Sequence, residues 1–305
     1  MFTNRYDFID LAECRFRWES LGFGGDRETV LAGGMFDAVS AEPRGCSVAA
    51  FPRSALGGDA VRVTATGPHG ETVFAKVFAL RCGVSEGTGP SGRTCESVSW
   101  QPRLVAMKGT ESHRHQRFLP VAADFSWTAV TNLDSSVEYS WTINTTNAVD
   151  LLGVSFDLDE SQVVSKKWLG RGPYRVWRNR PEGPQLGIWE NAYNDGYAGE
   201  SWNFPQFKGY FADTRWMSFE MKDGFVVRFD LLEKSPYVGA FSPNDGRDEF
   251  LFQPPKLGVS VLTVCPAVGN KFTSPKDVSP SGRSVVPTGA VTGRVRVSLI
   301  PPPVR

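Results

Sequence analysis

The stretch "WLGRGPYRVWRNR", residues 168–180, combines three aromatic residues, four arginines and a Gly-Arg-Gly-Pro sequence. This order predicts a turn at the end of a strand, because glycine allows close backbone approach and proline fixes its own backbone. We interpret the stretch as a structural corner or a domain-docking surface whose arginines pair with carboxylates, and an anion site is the alternative. The residues of this corner are Trp168, Arg171, Gly172, Pro173, Arg178 and Arg180.

The rest of the chain alternates between apolar and polar residues with a period of two, which is typical of half-buried β-strands. Clusters of turn-forming residues separate these segments, and the chain contains 31 glycines and 21 prolines. No long window shows the spacing of an amphipathic helix. The pattern therefore predicts an all-β protein built from antiparallel sandwiches. The clearest alternating runs are "AECRFRWES", "DAVRVTATG", "ETVFAKVFAL", "FVVRFDLL" and "GRVRVSLI".

A change in composition divides the chain. The stretch "CGVSEGTGPSGRTC", residues 82–95, is rich in Gly, Ser and Thr, which indicates a linker or a long surface loop. We predict a small sandwich domain over residues 1–82, a linker over 83–95 and a larger sandwich domain over 96–305.

The charge balance excludes some classes of partner. Lysine plus arginine number 33 and aspartate plus glutamate number 33, so the net charge is zero and neither nucleic acid nor an anionic membrane is expected as a partner. No apolar run approaches the roughly 20 residues of a membrane-spanning helix. The first residues lack the layout of a secretory signal peptide, so we expect the chain as given to be soluble and leave its compartment unassigned.

Metal-binding and redox motifs are not evident in the sequence. The five cysteines form no Cys-x-x-Cys pair, which favours free thiols over a zinc site or a disulfide framework. His113 and His115 are two positions apart, on one side of a strand, but no third ligand follows nearby. We predict no metal site and no cofactor.

Aromatic residues are concentrated in one part of the chain, since five of the nine tryptophans lie between positions 168 and 216. Rings beside carboxylates and amides suit sugars, because a pyranose offers an apolar face for stacking and hydroxyls for hydrogen bonds. The candidates for carbohydrate contact are Trp189, Tyr193, Glu200 and Trp202. In the competing interpretation, the rings fill a large β-core.

No residue stands out as catalytic. A glycosidase needs two carboxyl groups about 5–10 Å apart. Glu190, Asp195 and Glu200 could form such a pair, as could Asp245 and Asp248, but the spacing selects none of them. No nucleophile elbow, phosphate-binding loop, dinucleotide fingerprint or zinc-protease motif occurs. We therefore name no catalytic residue.

Three stretches resemble a known family. "WLGRGPYRVWRNR", followed by "GIWENAYNDGYAGESWNFPQFKGYFADTRWMSF", is similar to the carboxy-terminal domain of glycoside hydrolase family 2 β-galactosidases, which carry a W-x-G-R-G-P motif and a later P-x-x-x-G turn. "TNRYDFIDLAECRFRWES" resembles the first strands of the preceding domain in that family. "FLFQPPKLGVSVLTVCPAVGNKF" resembles the family's final strands.

The resemblance implies an immunoglobulin-like sandwich followed by a galactose-mutarotase-like supersandwich that is abbreviated at its start. The family's catalytic barrel, which holds both catalytic glutamates, would precede residue 1 and is absent from the chain as given. Whether the chain is an enzyme by itself is therefore left open.

Three functions remain in competition. The favoured one is an accessory, non-catalytic part of a β-galactosidase-like enzyme, whose partner is a catalytic barrel chain or a parent enzyme and which lies near a galactoside-like carbohydrate. The second is a free-standing carbohydrate-binding module. The third is an aldose-epimerase-like enzyme, which would need a general acid and a general base across the sugar ring.

Overall fold

The structure confirms the all-β prediction. It is a computed structural model that describes residues 1–37, 39–80, 100–110, 116–193, 209–233, 237–241, 252–253, 257–269 and 273–302. The chain divides into two compact units: the first is Met1–Gly83 with Gln185–Gly187, and the second is Val84–Pro184 with Ile188–Arg305. The predicted linker, residues 83–95, lies outside the described ranges.

The described residues of the first unit form a four-stranded and a two-stranded sheet. Its strands are β1 (Phe2–Thr3), β2 (Arg15–Gly24), β3 (Arg27–Met35), β4 (Cys46–Ser47), β5 (Ala60–Thr66) and β6 (Thr72–Ala79). The larger sheet has the order β3-β2-β5-β6, and β1 pairs with β4. Three alternating runs of the sequence are confirmed here as β2, β5 and β6. Strand β2 begins later than its pattern does, because Asp10 caps a 3-10 turn over Leu11–Glu13.

The two central strands of the four-stranded sheet, β2 and β5, have one buried face and one more exposed, polar face, as a period of two requires. On the polar face the Glu19 carboxylate lies 2.8 Å from Arg17 and 3.3 Å from Arg62. The buried core of this unit consists of Leu11, Phe16, Trp18, Phe36, Val39, Ala41, Ala55, Val61, Val63 and Ala65.

The second unit contains the remaining strands, except that the first three residues of β13 are assigned to the first unit. They are β7 (Arg103–Gly109), β8 (Gln116–Pro120), β9 (Asp124–Thr131), β10 (Val137–Asn144), β11 (Leu151–Phe156), β12 (Val163–Gly172), β13 (Gln185–Ala192), β14 (Phe211–Ala212), β15 (Trp216–Met221), β16 (Val226–Leu231), β17 (Tyr237–Ala240), β18 (Phe252–Gln253), β19 (Val259–Val264) and β20 (Val291–Ile300). A short helix, α1 (Pro275–Val278), precedes β20. The predicted runs "FVVRFDLL" and "GRVRVSLI" are confirmed as β16 and β20.

These strands form two seven-stranded sheets. The front sheet has the order β13-β12-β15-β16-β20-β10-β9, and the back sheet has the order β14-β17-β19-β11-β7-β8-β18. Most neighbours are antiparallel, whereas β8 and β18 pair in parallel. Strand β20 lies between β16 and β10, although these three strands are far apart in the sequence.

The two sheets pack face to face around one core. Rings from the front sheet meet rings from the back sheet: Tyr139 lies edge-on to Phe156 at 5.2 Å, and Phe156 lies 5.6 Å from Phe229. Trp168, Phe219 and Phe229 are at most 1% exposed. The core therefore spans both sheets, which is the arrangement of a β-sandwich.

The back sheet is also covered on its outer face. A second cluster there joins Val105, Leu151 and Leu262 of the sheet to Trp177, Tyr210, Cys265 and Val268 of the loops. Burial on both faces explains why β11, "LLGVSF", is mostly apolar instead of alternating, with Ser155 as its one polar side chain. Within the described residues, no helix is long and apolar enough to span a membrane.

Candidate functional site

The corner at residues 168–180 begins inside the sandwich core. Trp168, in the middle of β12, is completely buried and lies edge-on to Phe211 at 4.7 Å. Its indole N–H donates to the carbonyl of Arg171, three residues further along the same strand, at 3.1 Å. The strand ends at Gly172, and the Gly172–Pro173 peptide bond is cis.

Glycine at position 172 has a packing reason. A Cβ placed there would lie 2.6 Å from the Trp189 ring, well inside van der Waals contact. Trp189 of β13 therefore lies directly on the backbone of β12, and its indole N–H donates to the Gly170 carbonyl at 3.2 Å. The Gly-Arg-Gly segment thus packs against the Trp189 ring, and glycine at position 172 leaves the space that this ring occupies.

Arg171 anchors the loop that joins β12 to β13. Its Nε donates to the Pro184 carbonyl at 3.3 Å, and its Nη2 donates to the Pro181 carbonyl. Its nearest carboxylate contact, to Asp213, is 4.0 Å long. Carbonyl oxygens rather than carboxylates are therefore its main acceptors.

Arg178 forms the one close, buried ion pair of the corner in the described structure. Its Nη2 lies 3.3 Å from Asp150, and the two side chains are only 11% and 10% exposed. The same guanidinium donates to the carbonyls of Ser281 at 3.1 Å and Arg283 at 2.8 Å. Asp150 also accepts from the Gly109 N–H at 2.9 Å, so this pair ties distant segments together.

Asn179 and Arg180 fasten the corner to the segment after β19. Asn179 exchanges two hydrogen bonds with the backbone of Val268, at 2.9 and 3.0 Å. The Arg180 Nη2 donates to the Gly269 carbonyl at 2.9 Å. Carboxylate pairing was expected for the corner arginines, but among Arg171, Arg178 and Arg180 it is close only at Arg178.

Two of the four carbohydrate-contact candidates are described, and both pack against the sandwich core. Tyr193 donates its hydroxyl to Glu160, and its N–H donates to the Val164 carbonyl at 2.8 Å. Its ring lies edge-on to Phe241 at 5.8 Å. Burial, followed by the neighbouring Glu160 carboxylate, raises the pKa of the Tyr193 phenol. The other two candidates, Glu200 and Trp202, lie outside the described residues.

Three polar groups accompany Tyr193, and the sequence pattern singles out neither Lys166 nor Glu160 among them. Lys166 is 2% exposed and donates to the Ala192 carbonyl at 2.9 Å. The Asn191 Oδ1 is buried without a hydrogen-bond partner, and Glu160 accepts from Tyr193. Counting two residues back from Trp168 would have placed Lys166 on the buried face of β12.

The described part of the chain has two open clefts away from these rings. One, of about 300 Å³, is lined by Lys108, Asp150, Arg283 and Ser284 among others. The other, of about 600 Å³, lies beside Asp124 and Asn144. Within the described ranges, no three His, Cys, Asp or Glu side chains are grouped as a metal site.

One comparison with known proteins identifies the family. A family model described as the beta galactosidase small chain matches residues 84–273, which is more than half of the chain. The chain therefore belongs to the beta galactosidase small chain family. This match confirms the resemblance to the carboxy-terminal region of β-galactosidases. A search of the curated proteins found no match.

Proposed function

We propose that this chain is an accessory, non-catalytic part of a β-galactosidase-like enzyme, which supports a catalytic barrel supplied by another chain or by a parent enzyme. The observation that carries the proposal is the family match over residues 84–273. A family described as the small chain implies a second, larger chain, and we expect that larger chain to carry the catalytic carboxylates.

The corner supports a structural role. The guanidiniums of Arg171, Arg178 and Arg180 donate to backbone carbonyls of the same unit. Donors that are already hydrogen-bonded to carbonyls do not favour an anion site, because an anion would have to replace those carbonyl acceptors. The corner instead stiffens the loops on the outer face of the back sheet, which suits a surface against which another domain rests.

The architecture fits the same proposal. We assign the front and back sheets to the supersandwich of the family and the four-stranded sheet of the first unit to the immunoglobulin-like domain. The main segment of the first unit, Met1–Gly83, lies before residue 84, where the family match begins.

Two assays test the accessory role. The purified chain should leave a chromogenic β-galactoside intact, whereas tagged chain incubated with extract of its source cells should retain β-galactosidase activity on the resin. Mass spectrometry of the retained material should find a barrel-containing chain. Hydrolysis by the pure chain, or a resin without activity, would overturn the proposal.

A carbohydrate-binding module is the second candidate, and one observation favours it. Trp189, Asn191 and Tyr193 alternate along the edge strand β13 and its end at a spacing of about 7 Å, and between the two core-packed rings the Asn191 Oδ1 has no hydrogen-bond partner within the described residues. Titration calorimetry of the isolated chain with galactose, lactose and a β-galactan distinguishes the two candidates. Millimolar or tighter binding that is lost in Tyr193→Ala supports the module, and no heat with any of the three sugars rejects it.

A further inference from the structure

The edge strand β9 of the front sheet is unusually exposed. It pairs with β10 on one side and is the last strand in the order of that sheet. Nearly all of its residues are exposed, including Trp127 at 38% and Val130 at 60%. Leu133, just beyond the strand, is fully exposed. A long edge with apolar side chains is a template for pairing with another strand.

Other edge strands of the described sheets carry the features that normally prevent such pairing. Strands β14 and β18 are only two residues long. Strand β3 carries Arg27 and Glu28, β6 carries Lys76, and β13 carries Glu190. Charged residues and very short edges both oppose edge-to-edge association. Strand β9, "DFSWTAVT", has neither feature, because its one ionisable residue is Asp124 at the first position.

We propose that β9 is the dimerisation strand of this protein, pairing antiparallel with β9 of a second copy across a twofold axis. The two front sheets then form one continuous sheet of fourteen strands, since each contributes seven. A twofold interface presents the same strand from both sides, so the partner must match β9 in length and charge.

The charge distribution favours a second copy as the occupant. With the axis near Thr128, the uncharged stretch from Phe125 to Thr131 meets its own uncharged counterpart. The Asp124 carboxylates lie at opposite ends of the paired strands, well beyond the roughly 8 Å range of unscreened repulsion. On the outer face the nearest charges, Glu138 and Arg294, already pair with each other at 2.5 Å.

The test uses charge at the proposed axis. Sedimentation velocity of the full chain over micromolar concentrations should show a monomer–dimer equilibrium. Thr128→Lys and Thr128→Asp should each raise the dissociation constant by about tenfold, because like charges then oppose each other across the axis. An equimolar mixture of the two variants should restore dimerisation by pairing lysine with aspartate.

Thr292→Lys is the matched control. Thr292 is exposed on the same outer face, two strands from the edge, because it pairs with Thr142, which pairs with Ser126. That variant should dimerise like the unchanged chain, and circular dichroism should show all variants folded. A monomer at every concentration overturns the proposal. A dimer that the Thr128 substitutions do not weaken also overturns it, and indicates a different interface.

Discussion

The identity of a few residues at the corner decides how the second unit holds its loops. Arg178 and Asp150 are about nine-tenths buried, and each has backbone partners besides the other. A buried pair of this kind contributes little net stability, but a lone buried charge is costly. The pair therefore has a large effect on the free energy of unfolding only when one of its two members is removed.

Arg178→Met tests this asymmetry. We expect the variant to lose about 3–5 kcal/mol of unfolding free energy, because Asp150 is left charged and nearly buried. Urea denaturation followed by tryptophan fluorescence measures the loss.

The control is Arg103→Met, which breaks an ion pair with Asp157 whose members are 56% and 71% exposed. Exposed pairs contribute at most about 1 kcal/mol, so the control should be nearly neutral. Equal losses of unfolding free energy in both variants would show that burial does not increase the cost of breaking the Arg178–Asp150 pair.

At the scale of elements, the period of two predicted which segments are strands but not where they lie in the sheets. The run "ETVFAKVFAL" predicts alternation between a buried and an exposed face, yet nearly all residues of β6 are exposed, because β6 is an edge strand. The residues of a strand determine its local extended conformation. The strands with which it pairs depend on residues that are distant in the sequence. Lys166 was missed for a related reason, since lysine is rarely buried and its partner is a backbone carbonyl.

Titratable groups on the outer face of the back sheet, Tyr210, Tyr237 and Cys265, should make the free energy of unfolding fall as the pH rises into the alkaline range. Burial raises the pKa of the Tyr237 phenol from 10.0 to about 12, and burial also raises the pKa values of Tyr210 and of the Cys265 thiol. Above pH 10 the unfolded chain therefore loses protons that the folded chain keeps. Stability falls as pH rises wherever the unfolded state binds fewer protons.

We expect the urea midpoint to decline steadily from about pH 9, where unfolded thiols titrate, towards pH 12. In Tyr210→Phe the decline should be shallower, because one of the groups of this layer whose pKa is raised by burial is gone. Equilibrium unfolding at closely spaced pH values measures the slope. An unchanged slope in this variant would contradict the assignment of the decline to this layer.

For the whole molecule, the sequence supported the all-β class, and its motifs supported the family. The site was less predictable. The sequence shows Trp189 and Tyr193 as rings beside polar residues, but their contacts with Gly172 and Glu160 depend on how the strands are arranged around β12 and β13. The carbonyl partners of the corner arginines were equally hidden, because a backbone oxygen leaves no mark in the sequence.

Strand β20 is expected to be essential for the cooperative unfolding of the second unit. It contributes Val295 and Val297, both fully buried, and separates β16 from β10. Deleting residues 291–305 should leave the second unit without cooperative unfolding, since two parts of the front sheet lose their common neighbour. Deleting only residues 301–305 is the control and should preserve the transition in differential scanning calorimetry. A cooperative transition in the longer deletion would show that the sheet tolerates the gap.

The position of β20 also sets the order of events at the ribosome. Strands β9 and β10 are synthesised early, and β12, β15 and β16 follow, but the strand that joins these two groups is translated after all of them. The front sheet can close only when residues 291–300 have left the exit tunnel. Until then the edges of its half-formed parts are exposed, and unpaired strand edges are prone to aggregation.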